Sequence, residues 1–226
     1  MDDRFAGWVL ALAISAALYF LSDRDRRPHA VGAIALLLLF VVTLAAASWL
    51  LAPAWRPWAP AIAATAVWLA VQPLLGLGRL NREEIGLLPP RPGSLRPAMV
   101  VTAIALLANA AIITARDSAP VTVSSALVIA VIVAAIVEEL VMRGVILALA
   151  DRASPPRWTL WGARIGFGGV IVTASFIVLH GLRPGLLLGV APAALLYLWL
   201  RACTGSLLPP IVAHTLWNLS VVLLLR

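Results

Sequence analysis

Residues 121–150 read VTVSSALVIAVIVAAIVEELVMRGVILALA. The stretch is long enough to cross a bilayer, which takes about 20 apolar residues as a helix. Its charges are Glu138, Glu139 and Arg143, close together near the middle. A charge at the centre of a membrane helix costs about 2.5–3.5 kcal/mol on insertion scales. Keeping three of them calls for a partner or a function. The rest of the chain agrees with a lipid-facing surface. Of 226 residues, 62% are hydrophobic, and the mean hydropathy is +1.01. Soluble domains are about 45–50% apolar. The expected fold is therefore all-α, a polytopic transmembrane helix bundle.

Working outward, eight apolar segments stand out: 5–21, 30–52, 58–78, 97–115, 121–150, 165–182, 184–200 and 206–225. The first has an acidic head, MDDR, and runs straight into SDRDRRP, so it reads as a retained span and not a cleaved leader. The connection GRLNREEIGLLPPRPGSLRP is too rich in proline to be one helix. The one cysteine, Cys203, excludes an intrachain disulfide. No linker divides the chain, so 1–226 is expected to be a single membrane domain.

The net charge is +7, carried by 17 arginines and no lysine. That usage suggests a GC-rich coding genome. With no soluble domain to present a basic face, nucleic acid is not an expected partner; the bilayer is. Alternating the loops of eight spans puts eleven arginines on one side: Arg24, Arg26, Arg27, Arg79, Arg82, Arg91, Arg96, Arg152, Arg157, Arg164 and Arg201. Five fall on the other: Arg4, Arg56, Arg116, Arg183 and Arg226. Arg143 lies within a span. The positive-inside rule then expects a multi-pass protein of the cell membrane with both termini outside. Trp49, Trp55, Trp58, Trp158 and Trp161 sit near segment ends, where interfacial anchors belong.

Of the ten acidic residues, Glu138 and Glu139 alone fall inside a span. His180 and His214 also lie in apolar segments, whereas His29 is in a loop. Glu139 and Arg143 are four apart on one helical face, the acid N-terminal, which predicts an ion pair. Glu138 is turned by about 100° from Glu139 and needs another partner, for which the two histidines are the candidates. Depth supports this. At 1.5 Å per residue, Glu138 lies about 18 Å from an end near Ala150, His180 about 17 Å from a start near Gly169, and His214 about 12 Å from Ser206. All three are expected in the cytoplasmic half of the membrane. A sixth helix starting at Arg164 would instead place the following GLRPG at the outer side. Thr204 or Ser206 can cap the last helix, and Pro209 and Pro210 are expected to disturb its first turns.

A carboxylate beside an imidazole can deprotonate a water, and an imidazole with an amide neighbour can donate hydrogen bonds to an oxyanion. The same Glu, His and His could hold zinc with an open position. No Ser–His–acid set stands out.

Three motifs in order, Glu138-Glu139-x-x-x-Arg143, Phe176-x-x-x-His180 and His214-x-x-x-Asn218, resemble the CPBP family. These are the CAAX proteases and bacteriocin-processing (Abi) proteins, intramembrane endopeptidases that include the Ras-converting CAAX endopeptidase. TGSLLPPIVAH resembles the stretch before the family's last histidine, and EIGLLPP the segment that precedes its core. The resemblance covers a catalytic core of about 121–222; residues 1–78 carry no placed motif. It implies an all-α bundle around a water-filled, cytoplasm-facing cavity, and a membrane-associated peptide or protein as substrate. Glu138 and His180 would activate the water, His214 and Asn218 would bind the oxyanion, and Glu139, Arg143 and Phe176 would support them. The cofactor stays open between none and a zinc on Glu138, His180 and His214. Two other readings compete: a non-proteolytic scaffold or immunity protein, and a transporter or proton relay built on the same intramembrane charges. No internal repeat favours the last.

Overall fold

The computed structural model describes residues 3–77, 79–114 and 123–224. Asp2, Arg116, Asp117 and Arg226, counted above, lie outside the described residues, as do positions 121 and 122 of the expected core.

Each of the eight apolar segments contains a helix. The helices are α1 (Asp3–Leu21), α2 (Arg27–Leu50), α3 (Ala59–Gly76), α4 (Leu95–Thr114), α5 (Ser125–Glu139) running through a π-helical turn (Leu140–Ile146) into α6 (Leu147–Ala153), α7 (Phe167–Leu179), α8 (Pro184–Thr204) and α9 (Leu208–Leu224). Six are long and apolar enough to cross a membrane, the α5–α6 rod counting as one; α7 and α9 are shorter. The protein is thus an all-α, multi-pass membrane bundle. Its outward surface is apolar, with Leu107 and Leu188 about 70% exposed. Of the expected anchors, Trp49, Trp55, Trp158 and Trp161 are exposed and Trp58 is half-buried.

The α5–α6 rod is central. It packs against α2, α3, α7 and α9, while α1 lies along α7 and α2 along α3. Small residues set the spacing, as they do between membrane helices. A Cβ on Gly7 of α1 would come within 2.1 Å of the Val178 carbonyl oxygen on α7, so only glycine permits that approach.

The sixth segment differs from expectation. Residues 165–182 do not form one span. A two-stranded antiparallel hairpin, β1 (Trp158–Leu160) and β2 (Ala163–Ile165), precedes the segment and ends at its first residue. The 13 residues of α7 follow, too few at about 1.5 Å each to cross a core of about 30 Å. His180 is the residue that ends α7. The turn after it lies beside the first turn of α1, where Arg183 Nε is 2.9 Å from Asp3 Oδ2.

That contact fixes the two faces. The start of α1, the connection 51–58 and the turn 180–183 share one face, here the N-terminal face. The connections 22–26, 79–94 and 154–166 share the other, the arginine-rich face. On the latter, the polar connection is stitched down. Asn81 and Glu84 exchange reciprocal backbone–side-chain bonds of 3.0 and 2.8 Å. Glu84 accepts from Arg152 Nε and Nη2 at 2.8 and 2.7 Å. Leu207 N–H donates to the Gly86 carbonyl at 2.8 Å, which ties the EIGLLPP stretch to the α8–α9 turn.

That turn is also simpler than expected. Gly205, at φ +70°, ends α8 in the left-handed conformation. Ser206 Oγ accepts from the Leu208 N–H at 3.3 Å. Pro209 and Pro210 occupy the first turn of α9, where backbone N–H groups have no helical partner in any case, so they start the helix without breaking it.

Candidate active site

Glu139 and Arg143 form the ion pair the spacing predicts. Arg143 Nη1 lies 3.1 Å from Glu139 Oε1, and both residues are at most 1% exposed. They straddle the start of the π-helical turn. Such turns shift the residues after them around the axis, and they recur at functional sites. Here Arg143 is held from several directions. Nη2 reaches the Ala194 carbonyl of α8 at 3.4 Å. Its Cζ lies 4.0 Å from the ring centre of Phe176 and 5.5 Å from that of Tyr197, within cation–π range.

His214 completes this group. Its Nδ1 is 3.0 Å from the same Glu139 oxygen. Its ring stacks on Tyr197, with centroids 4.7 Å apart and planes 20° apart. A carboxylate accepts, so Nδ1 carries a proton and Nε2 faces away, 3.9 Å from Glu138 Oε2. The sequence assigned the histidines to Glu138. The structure gives the close bond of His214 to Glu139 and leaves Glu138 beyond hydrogen-bond distance, facing the cavity.

His180 comes to the same place from α7. Its Nδ1 lies 2.9 Å from the Phe176 carbonyl oxygen one turn back. A carbonyl cannot donate, so Nδ1 is the donor, and in the neutral ring Nε2 holds the lone pair. The Phe176 ring stands edge-on to His180 at 4.7 Å while also covering Arg143. The four-residue spacing of Phe176 and His180 thus serves the carbonyl as well as the ring.

A cavity of about 480 Å³ unites these groups, with Glu138, His180, His214 and Asn218 in its wall. A second cavity of about 320 Å³ meets it at Glu138, Phe176 and His180, and leads past Trp8 to Arg4 and Arg56. The site therefore opens on the N-terminal face. A cytoplasm-facing cavity and termini outside the cell cannot both hold, because the fold puts mouth and N-terminus on one side. Residues between Arg4 and Pro60, in the part of the chain that carries no motif, supply most of the wall of the second cavity.

Screening for charge missed several polar residues of the site. Tyr197, one of two tyrosines in the chain, lies between His214 and Arg143, its hydroxyl buried without a hydrogen bond to the described residues. Asn109 of α4 lines the cavity and donates to Ser220 Oγ at 2.9 Å. An amide and a phenol inside otherwise apolar segments were the available signals. Arg201, expected in a loop, is in the last turn of α8, and its Nε donates to the Arg143 carbonyl at 3.2 Å.

The fit to a metal is poor. Glu138, His180 and His214 are the residues a zinc would have to use. Among the described residues no three His, Cys, Asp or Glu side chains gather as a metal-holding group.

With this geometry in view, the comparisons are informative. A family model described as Rce1-like, Type II CAAX prenyl endopeptidase Rce1-like, matches residues 120–220. No curated protein and no solved structure matches the chain. The matched segment contains the α5–α6 rod and α7–α9, and with them Glu138, Glu139, Arg143, His180, His214 and Asn218. Over residues 120–220 the chain is thus similar to the Rce1-like, or CAAX protease, family of intramembrane proteases, in agreement with the CPBP motifs it carries.

Proposed function

We propose that this protein is an intramembrane endopeptidase that hydrolyses peptide bonds of membrane-associated peptides or proteins with a water activated by Glu138 and His180. The observation that carries this reading is the meeting of Glu138 and His180 in one cavity wall, with His214 and Asn218 beside them. The chemistry falls within 121–222 of a single membrane domain.

Each group has a part. The Glu138 carboxylate and His180 Nε2 are both acceptors. A water donating one hydrogen to each presents its lone pair to the carbonyl carbon of the scissile bond. As the C–O bond forms, Glu138 takes the proton. The carbonyl oxygen becomes an oxyanion, received by His214 Nε2–H and the Asn218 amide. Collapse breaks the C–N bond, and Glu138 returns its proton to the leaving amine. For His214 to donate from Nε2 while Nδ1 donates to Glu139, the ring must be imidazolium. Glu138, Glu139, Arg143 and His214 then sum to zero charge, the arrangement a poorly solvated site requires. Glu139 and Arg143 hold the imidazolium without touching the substrate. No covalent enzyme intermediate is needed.

The test is peptide cleavage by the purified, detergent-solubilised protein, with prenylated and unprenylated peptide libraries, each with and without chelator. Cleavage that resists chelation and is lost in Glu138→Gln and His214→Ala is the expected result. Cleavage abolished by chelator and restored by zinc would replace the water mechanism with a metal one. Absence of cleavage by well-folded protein on every peptide would favour a scaffold.

A further inference from the structure

The arginine-rich face carries a second charged cavity, on the opposite side from the mouth of the site. It has a volume of about 220 Å³ and lies between the ends of α6 and α8 and the hairpin. Arg91, Arg164 and Arg201 line it, together with a single acid, Asp151. The arginines come from three separate segments: the connection before α4, strand β2, and the last turn of α8. Three guanidinium groups against one carboxylate leave two positive charges. Among the described residues, Arg91, Arg164 and Asp151 take part in no ion pair within 4.0 Å.

One of these side chains is held by hydrogen bonds, and a second lies against a turn. Arg201 donates from Nε to the Arg143 carbonyl and from Nη2 to the Glu84 carbonyl, at 3.2 and 2.6 Å, and Nη1 is left over. Its guanidinium lies on Gly86, where a Cβ would come within 2.6 Å of Nε. The Arg91 guanidinium lies on Gly205 in the same way, at 2.9 Å. Both glycines have left-handed φ, +76° and +70°. The turns that place these arginines therefore also leave bare backbone beneath them. Prior fixing of this kind lowers the entropy lost when an anion binds.

We propose that this cavity is a binding site for a phosphate group. Guanidinium groups from separate segments suit the several oxygens of a phosphate, which they can bind as paired, charge-assisted hydrogen bonds. The site also lies at a depth where phosphate is abundant. The neighbouring hairpin exposes Trp161 at its tip, 83% accessible, and tryptophan concentrates at the membrane–water interface. A phospholipid headgroup or a soluble phosphate could supply the same chemistry. Asp151 opposes either one, so removing its charge should strengthen binding while removing an arginine weakens it.

The test measures the melting temperature of the purified full chain, each variant against its own baseline. One arm titrates inorganic phosphate in a neutral detergent, with ionic strength held constant by sodium chloride. The other compares nanodiscs of phosphatidylcholine with nanodiscs containing phosphatidylglycerol. The expected result is a saturable stabilisation in at least one arm. Arg91→Ala or Arg164→Ala, both at exposed positions, should weaken it at least tenfold. Asp151→Asn should tighten it, and Arg24→Ala, elsewhere on the same face, should leave it unchanged. A response to inorganic phosphate identifies a site open to soluble phosphates, and a response confined to phosphatidylglycerol identifies a headgroup site. No response in either arm, or a response that Arg91→Ala and Arg164→Ala leave intact, overturns the proposal.

Discussion

Two acid–arginine pairs in this molecule share chemistry and differ in setting. Glu139 and Arg143 lie inside the bundle, at most 1% exposed. Glu84 and Arg152 lie on the arginine-rich face, at 31% and 29% side-chain exposure. The surface pair is bidentate and fastens a loop. The buried pair is monodentate, and its acid is shared with His214. Stability alone would favour the opposite arrangement, since burying charges rarely beats well-packed apolar residues. The buried pair is therefore best understood through what it holds, the imidazole of His214 beside the cavity.

This contrast can be broken in several places. The largest expected effect is on turnover. Glu138→Gln removes the proposed base and keeps its size at a position that lines the cavity, and cleavage should fall by roughly 10²–10⁴-fold, the usual contribution of general acid–base catalysis, while the melting temperature stays near wild type. Arg143→Ala should destabilise the fold by about 3–5 kcal/mol, because it leaves the buried group of Glu138, Glu139 and His214 with an uncompensated negative charge; denaturation in detergent would show it, and a wild-type midpoint would refute the pairing. Asn218→Ala should lower kcat by roughly 10²–10³-fold if the amide receives the oxyanion. An equal loss confined to KM would move Asn218 to substrate binding. The smallest effect belongs to Arg152→Ala, about 1 kcal/mol or less for a partly exposed pair, read as faster proteolysis of the 79–94 connection.

The faces themselves can be tested. Single cysteines replacing Arg56 and Arg164, in a Cys203→Ser background, should be labelled by a membrane-impermeant reagent from opposite sides. A cysteine at Arg4 should follow Arg56. The compartment in which Arg56 is labelled decides between the arginine count, which puts that face outside, and the family expectation of a cytoplasmic cavity. Labelling of Arg56 and Arg164 positions from one side would contradict the fold.

Much of this was legible in the sequence, because lipid imposes simple rules. Apolar runs of bilayer length become helices, and each of the eight runs contains one. The ion pair followed from a four-residue spacing. What was not legible depends on where helices end and how they turn against one another. Only 13 residues of the apolar run 165–182 form α7, because the hairpin ends at Ile165 and the helix stops before His180. The π-helical turn after Glu139 leaves no mark in composition. Tyr197 and Asn109 are uncharged, so a search for costly charges passes over them. The depth estimate gathered Glu138, His180 and His214 at one level but assigned that level to the arginine-rich half; α7 begins at Phe167 and carries His180 to the other face.

The central claim is a division of labour between adjacent acids: Glu138 for chemistry, Glu139 for structure. The most direct test measures cleavage rate and unfolding midpoint together on Glu138→Gln and Arg143→Ala. Glu138→Gln should lose cleavage with its midpoint intact, and Arg143→Ala should lower its midpoint. A Glu138→Gln protein that cleaves at the wild-type rate would contradict it.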